Sequence, residues 1–146
     1  MRRVSRSALV PYRAEQMFDL VDDVESYPSF LPWCSDAVEH RRDEHEVEAT
    51  LELHKGSVSN RFTTRNRRNR PEAIDISLLG GPFRHLDGGW RFRDLGEDGC
   101  KVSLELDFEF DSMVVDMMFG SFFEKTCNSL VDAFTRRAQS VYGDDE

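Results

Sequence analysis

The stretch that decides the fold is residues 112–141, SMVVDMMFGSFFEKTCNSLVDAFTRRAQSV. Apolar side chains recur at Val115, Phe119, Phe123, Cys127, Val131 and Phe134, with Ala138 extending the row. A second row, Met118, Phe122, Leu130 and Val141, lies beside it. Steps of three, four and seven put both rows on one side of an α-helix. Asp116, Glu124, Asn128, Asp132 and Arg136 run down the other side. As one continuous helix this stretch is roughly 45 Å long, more than one layer of a small domain needs. Its first half is apolar on several sides, with Met113, Val114, Val115, Met117, Met118, Phe119, Phe122 and Phe123 around Gly120. Such a helix needs wrapping, so the preceding sequence is expected to supply a sheet that wraps it.

That sheet is legible in the sequence. Immediately before the helix, Cys100, Val102, Leu104, Leu106, Phe108 and Phe110 alternate with polar residues, the strongest strand signal in the chain. Working back, residues 83–95 form a strand around Trp90 and Phe92, in which Gly88-Gly89 predicts a bulge or the close approach of another backbone. Ile74, Ile76 and Leu78 form another, and residues 58–68 one around Phe62. Val47, Ala49, Leu51 and Leu53 alternate with glutamates and Thr50, and residues 34–42 give a weaker strand. Lys55-Gly56-Ser57, Arg70-Pro71-Glu72, Gly80-Gly81-Pro82 and Gly96-Glu97-Asp98-Gly99 supply the turns. At the start, residues 3–10 read as a strand, followed by a short helix with Ala14, Met17, Phe18 and Val21 on one face and no Ser, Thr, Asp or Asn as its cap. Pro28 can open a single helical turn that Leu31-Pro32 closes. Ser112 or Asp111 caps the long helix. Strict alternation with short turns means an antiparallel sheet of about seven strands with one wet face. The fold class is therefore α+β: a curved antiparallel sheet gripping a long C-terminal helix, with two short helices after the first strand.

Length and charge bound the rest. With 146 residues the chain is expected to be one domain, 1–146, with a core that needs no staples. Its net charge of −9 opposes broad nucleic-acid binding, and DNA is not expected as a partner. Cys34, Cys100 and Cys127 form no C-x-x-C pair and are expected to be reduced, buried thiols. The N-terminal Met-Arg-Arg-Val-Ser-Arg lacks the apolar centre of a signal peptide, and no run of eighteen apolar residues occurs. A cytoplasmic location is expected. The chain closes on an acidic run, Asp144-Asp145-Glu146.

The aromatic residues raise a functional question. Phe18, Phe30, Trp33, Phe62, Phe83, Trp90, Phe92, Phe108, Phe110, Phe119, Phe122, Phe123 and Phe134 all claim the inner side of the sheet. Rings with flexible Met113, Met117 and Met118 can line a mostly apolar ligand pocket. They can equally fill the core completely, and the pattern alone leaves both open.

Tyr27-Pro28-Ser29-Phe30-Leu31-Pro32-Trp33-Cys34 carries a resemblance. With Ser77-Leu78-Leu79-Gly80-Gly81-Pro82-Phe83-Arg84-His85-Leu86, Gly89-Trp90-Arg91-Phe92 and the segments 119–123 and 133–138, it resembles the coenzyme Q-binding START-like proteins and RatA ribosome-association toxins. These belong to the helix-grip, polyketide cyclase-like (SRPBCC) superfamily. The resemblance runs the whole chain in order; Arg13 departs from the Ser or Thr common before the first helix. It implies a cavity between sheet and helix for ubiquinone or a similar polyprenylated lipid. The corner at Tyr27, Pro28, Phe30, Leu31 and Trp33, the Pro82-Phe83 loop with Trp90, and Phe119, Phe122 and Phe123 would form its walls. Inward positions complete the candidate set: Leu51, Phe62, Ile76, Leu78, Phe92, Phe108, Val115 and Met118. Gly120 is expected to make room for something. No cofactor is required, and transient contact with the inner membrane is compatible with such a ligand. The resemblance implies an alternative role as a toxin that binds the large ribosomal subunit and blocks subunit association.

Other chemistry is thinly represented. His40, His45, His54 and His85 show no metal spacing, and phosphate-loop, nucleophile-elbow and dinucleotide motifs are absent. No catalytic residue is assigned, although His85 or Tyr27 could serve a cyclase. Arg61, Arg65, Arg67, Arg68 and Arg70 crowd one hairpin. Either they pair with Glu46, Glu48 and Glu52 on the adjacent strand, or Arg61, Arg65, Arg67 and Arg68 meet ribosomal phosphate or anionic lipid.

Overall fold

A computed structural model describes residues 1–143; the acidic run Asp144-Asp145-Glu146 lies outside the described residues. Strands β1 (Arg2–Val10), β2 (Cys34–Arg42), β3 (Glu46–Lys55), β4 (Val58–Asn69), β5 (Ala73–Gly80), β6 (Phe83–Asp94) and β7 (Cys100–Phe110) form one antiparallel sheet. Their order is β1-β7-β6-β5-β4-β3-β2, a meander whose first strand closes against its last. The pairing of β2 with β3, β4 with β5 and β6 with β7 each slips locally, and such irregularities bend a sheet. Gly88 and Gly89 sit in unbroken register. They mark close approach rather than a bulge, since a side chain at Gly88 (φ +150°) would strike the Glu105 carbonyl and one at Gly89 the Ile74 carbonyl.

Helix α1 (Ala14–Asp22) has no Ser, Thr, Asp or Asn at its N-cap, and two other side chains serve its first amides: Gln16 Oε1 accepts from the Arg13 amide at 2.9 Å, and the second partner is long-range. Asp94, at the end of β6, accepts from the Ala14 amide at 2.8 Å. The turn after it also departs from expectation. A 3₁₀ turn spans Val24–Ser29, so Pro28 lies near its end rather than at its start. Asp23 nucleates the turn instead: its carbonyl accepts from the Ser26 amide at 3.2 Å and its carboxylate from the Ser26 hydroxyl.

The C-terminal arm is not one helix. Ser112 caps a first turn, α2 (Met113–Val115), by accepting from the Val114 and Val115 amides at 3.2 and 3.4 Å. A π-helical turn, Asp116–Gly120, follows, then α3 (Ser121–Asn128) and α4 (Leu130–Tyr142). Near the second break Asn128 donates to the Glu124 carbonyl and Ser129 to the Thr126 carbonyl, side-chain bonds that compete with the helical ladder. The main apolar row is buried from Phe119 through Phe123, Cys127, Val131 and Phe134 to Ala138. The apolar first half is not wrapped: Met113, Val114, Met117 and Met118 are exposed, because the sheet meets the arm on one side only. The core lies between that side and the sheet, with α1 packed on α4, where the Tyr142 hydroxyl donates to the Gln16 carbonyl at 3.0 Å.

Candidate functional site

The space between sheet and arm is mostly occupied by rings. Phe123 stands at their centre, 5.8 Å from Phe62, 5.3 Å from Phe83, 4.8 Å from Phe108 and 6.0 Å from Phe110, centroid to centroid. Beside this cluster remains an apolar cavity with a free volume of about 90 Å³. The inner faces of β3 (Ala49, Leu51, Leu53), β4 (Phe62, Thr64, Asn66) and β5 to β7 (Ile76, Leu86, Trp90, Leu104, Leu106) form one wall. Val24, Tyr27, Trp33 and the arm's Phe123, Thr126, Cys127, Leu130 and Phe134 form the other.

Of the expected wall residues, the structure brings Tyr27, Trp33, Leu51, Phe62, Ile76, Trp90 and Phe123 to the cavity. The others stand elsewhere. Phe83, Phe92, Phe108 and Phe119 are buried within the core, where they fill space rather than border it. Leu31 packs with Cys34 and Ala133 in a separate small cluster. Phe30 lies against Phe134 on one side and the Arg137 guanidinium on the other. Leu78 and Val115 pack on the core's margin, and Phe122 on Phe119. Pro28 and Met118 face solvent, and Pro82 holds the Asp111 amide with its carbonyl. Sequence reasoning missed Thr64 and Asn66, although both follow Phe62 at the period of two that defines a strand face. It also passed over Thr126, and Cys127, Leu130 and Phe134 were read as core.

Among the described residues the lining carries no carboxylate, imidazole, ammonium or guanidinium. Its polar groups are few. The Tyr27 hydroxyl donates to the Val21 carbonyl, and burial pushes its pKa far above the ordinary phenol value. Burial likewise keeps the Cys127 thiol protonated. Thr64 donates to Asn66 Oδ1 at 3.0 Å, which leaves the Asn66 amide nitrogen without a hydrogen bond among the described residues. The arrangement can therefore shelter an apolar body and offer one amide donor to an acceptor on it. His85, the other suggested catalytic group, lies against the Asp87 carboxylate away from the cavity. Among the described residues no three His, Cys, Asp or Glu side chains converge as for a metal. Cys34, Cys100 and Cys127 are buried free thiols.

The arginine hairpin divides by strand face. Arg61 pairs with Asp36 and Glu52 at 3.2 and 3.3 Å, and Arg65 with Glu48 at 3.2 Å, the cross-strand pattern expected of them. Arg68 turns inward to Asp22 at 2.8 Å and lies over the Phe18 ring, and Arg70 reaches Asp19 at 2.9 Å. Arg67 is exposed and makes no ion pair among the described residues.

Comparison with known proteins agrees with this geometry. Residues 10–135 match the family described as polyketide cyclase / dehydrase and lipid transport. The chain is 46% identical over 144 residues to the ribosome association toxin RatA of Vibrio cholerae serotype O1, covering 99% of this chain and all of that one. It is 28% identical to the mitochondrial coenzyme Q-binding protein COQ10 homolog B of Xenopus laevis, covering 97% of this chain and 60% of that protein. A START superfamily protein from Mycobacterium smegmatis superposes with a TM-score of 0.79 at 22% identity, covering 95% of this chain and 98% of that one, which places the fold. In fold, in length of alignment and in sequence, this chain belongs to the polyketide cyclase / dehydrase and lipid transport family, in the branch that holds the RatA and coenzyme Q-binding START-like proteins.

Proposed function

We propose that the protein is a non-enzymatic binder of an apolar molecule bearing a carbonyl, a ubiquinone or similar polyprenylated lipid, and that it supports respiratory electron transfer from the cytoplasm. The observation that carries this reading is the cavity lining: mostly apolar, with no acid or base among the described residues, and with the Asn66 amide nitrogen unengaged among them. That nitrogen is not sealed from water, and a quinone carbonyl can take the water's place as its acceptor; the relative named for coenzyme Q binding supports the same ligand class. Size sets a condition. About 90 Å³ is well below the several hundred Å³ of a usual ligand pocket. Binding therefore requires the surrounding rings or the arm to shift, with the isoprenoid tail displacing part of the Phe123 cluster or lying outside.

The test is organic extraction of protein purified from a quinone-replete host, followed by mass spectrometry. A polyprenyl quinone is expected to co-purify, and Asn66→Leu is expected to weaken quinone binding about threefold to tenfold, the worth of one hydrogen bond. Extracts free of quinone and lipid, together with no uptake of added quinone, would sink the reading.

A second reading has its own support in the full-length identity to proteins named ribosome association toxins. In it the chain contacts the large ribosomal subunit through the outer face of β4, where Arg67 is exposed beside Arg61 and Arg65. Overexpression should then deplete assembled ribosomes in a sucrose gradient, and Arg65→Glu with Arg67→Glu should restore them. Unchanged ribosome profiles on overexpression of the parent chain would remove this role.

A further inference from the structure

We propose that the π-turned tip of the arm, Met113 to Met118, docks the protein on a lipid bilayer and is the side from which the cavity is filled. The inference rests on the apolar-ligand reading above. Met113 and Met117 are 83% and 82% exposed, and Val114 and Met118 are mostly exposed beside them. Side chains that bare stand out from the surface rather than forming a flat patch. A second folded copy would need matching holes to receive them, whereas a bilayer deforms around protruding thioethers and buries them one by one. Among the described residues no hydrogen bond or ion pair engages these four side chains, which are apolar.

Charge favours the same occupant. The acidic chain pairs most of its outer arginines with carboxylates, yet Lys55, at the end of β3, makes no ion pair among the described residues. Its ammonium lies 5.9 Å from the centroid of Phe122, which sits one helical turn beyond Met118. A cation there can rise to the phosphate level of an anionic leaflet while the methionines enter it. Asp111 is an exposed acid on the same rim, and Asp116 is held by Arg2. Arg2 is shared between Asp116 and Glu124, so Lys55 offsets part of the acid at this end rather than all of it, in a molecule of net charge −9.

Continuity with the cavity completes the case. Behind the tip, Phe122 packs on Phe119, and Phe123 beside it packs on Phe62, which lines the cavity. The partition between bilayer and cavity is thus a layer of rings on the segment that follows the π turn. A π turn already departs from the regular helical ladder, so a shift of α2 breaks fewer regular bonds there than in α3 or α4.

The experiment is flotation of the full chain with phosphatidylcholine vesicles, with and without phosphatidylglycerol, all free of quinone. The parent is expected to float, more strongly with the anionic lipid. Met113→Glu with Met117→Glu is expected to lower the bound fraction by at least about tenfold, given the area two methionines bury. Both positions are solvent-exposed, so thermal melting of the variant should match the parent's. Lys55→Glu should remove the dependence on phosphatidylglycerol. A parent that stays at the bottom of the gradient with both vesicle types overturns the proposal, as does a double variant that floats as well as the parent. So does sedimentation showing a concentration-dependent dimer that the double variant abolishes, which makes the tip a self-interface. Because the vesicles carry no quinone, failure here leaves the extraction result standing, and the two readings fail separately.

Discussion

At Gly120 the absent methyl is occupied by another residue. A side chain built there would lie 2.7 and 2.9 Å from the Arg2 guanidinium and 2.6 Å from an Asp116 oxygen. The room expected at Gly120 is taken by the first strand, whose Arg2 crosses the π turn to reach Asp116 at 3.0 Å and Glu124 at 2.7 Å. That clamp ties the arm to the sheet's first strand. Helix propensity alone favours Gly120→Ala by up to about 1 kcal/mol. The substitution is nevertheless expected to lower stability by about 1 kcal/mol in urea denaturation, because it displaces a half-buried, doubly paired guanidinium. Made in an Arg2→Ala background, Gly120→Ala should become neutral or stabilising, since nothing remains to be displaced. A loss of equal size in both backgrounds would show that the glycine serves the backbone and not the clamp.

The arm shows what a hydrophobic period can and cannot reveal about an element. Its core row is buried from Phe119 to Ala138, as spacing predicts, because burial on one face is what the period records. The period is blind to the π turn and to the break at Ser129, which depend on backbone bonds rather than on apolar spacing. The signal for the break was present in a different alphabet, the pair Asn128-Ser129, whose side chains compete for the Glu124 and Thr126 carbonyls. The greasy first half misled because apolarity shows that a surface seeks cover without showing that the same chain provides it. On α3, Phe123→Ala is expected to destabilise by about 3–5 kcal/mol in chemical denaturation, the usual result of deleting a buried ring. It should also enlarge the apolar space enough to take up a benzene-sized molecule, seen as a ligand-dependent rise in melting temperature. A small loss without ligand uptake would mean that Phe62 and Phe83 collapse into the gap.

Over the whole molecule, the sheet from β2 to β7 was legible because its strong strands alternate and most of its turns are marked, so order and antiparallel sense follow from neighbours in sequence; the closure of β1 on β7 was not, because those strands are far apart in the chain. The cavity was legible only in outline. Strand faces place Leu51, Phe62, Ile76 and Trp90 on its wall, but whether Phe83 and Phe108 border space or fill it depends on volumes contributed by four or more separated elements. The outer surface follows a simpler rule with a measurable consequence. Hydrogen bonds from the His45 and Glu46 amides hold the Asp43 carboxyl below its ordinary range, the Arg41 guanidinium does so for Glu48, Arg3 for Asp107 and Arg2 for Asp116. Each of these groups has a lower pKa folded than unfolded. Between the two values the unfolded chain binds more protons, so stability rises with pH there. The contribution is complete above the ordinary carboxylate value of about 4 and is lost as pH falls through the depressed one. The partner arginines are shifted upward, beyond the working range, and add no slope near neutrality. The urea midpoint is therefore expected to be level from about pH 6 to 8 and to fall below about pH 4.5. Glu48→Gln should be less stable than the parent at pH 7, and the gap should close in acid, where the parent's own carboxyl is protonated. A gap that persists unchanged at about pH 2.5 would assign Glu48's effect to shape instead of charge.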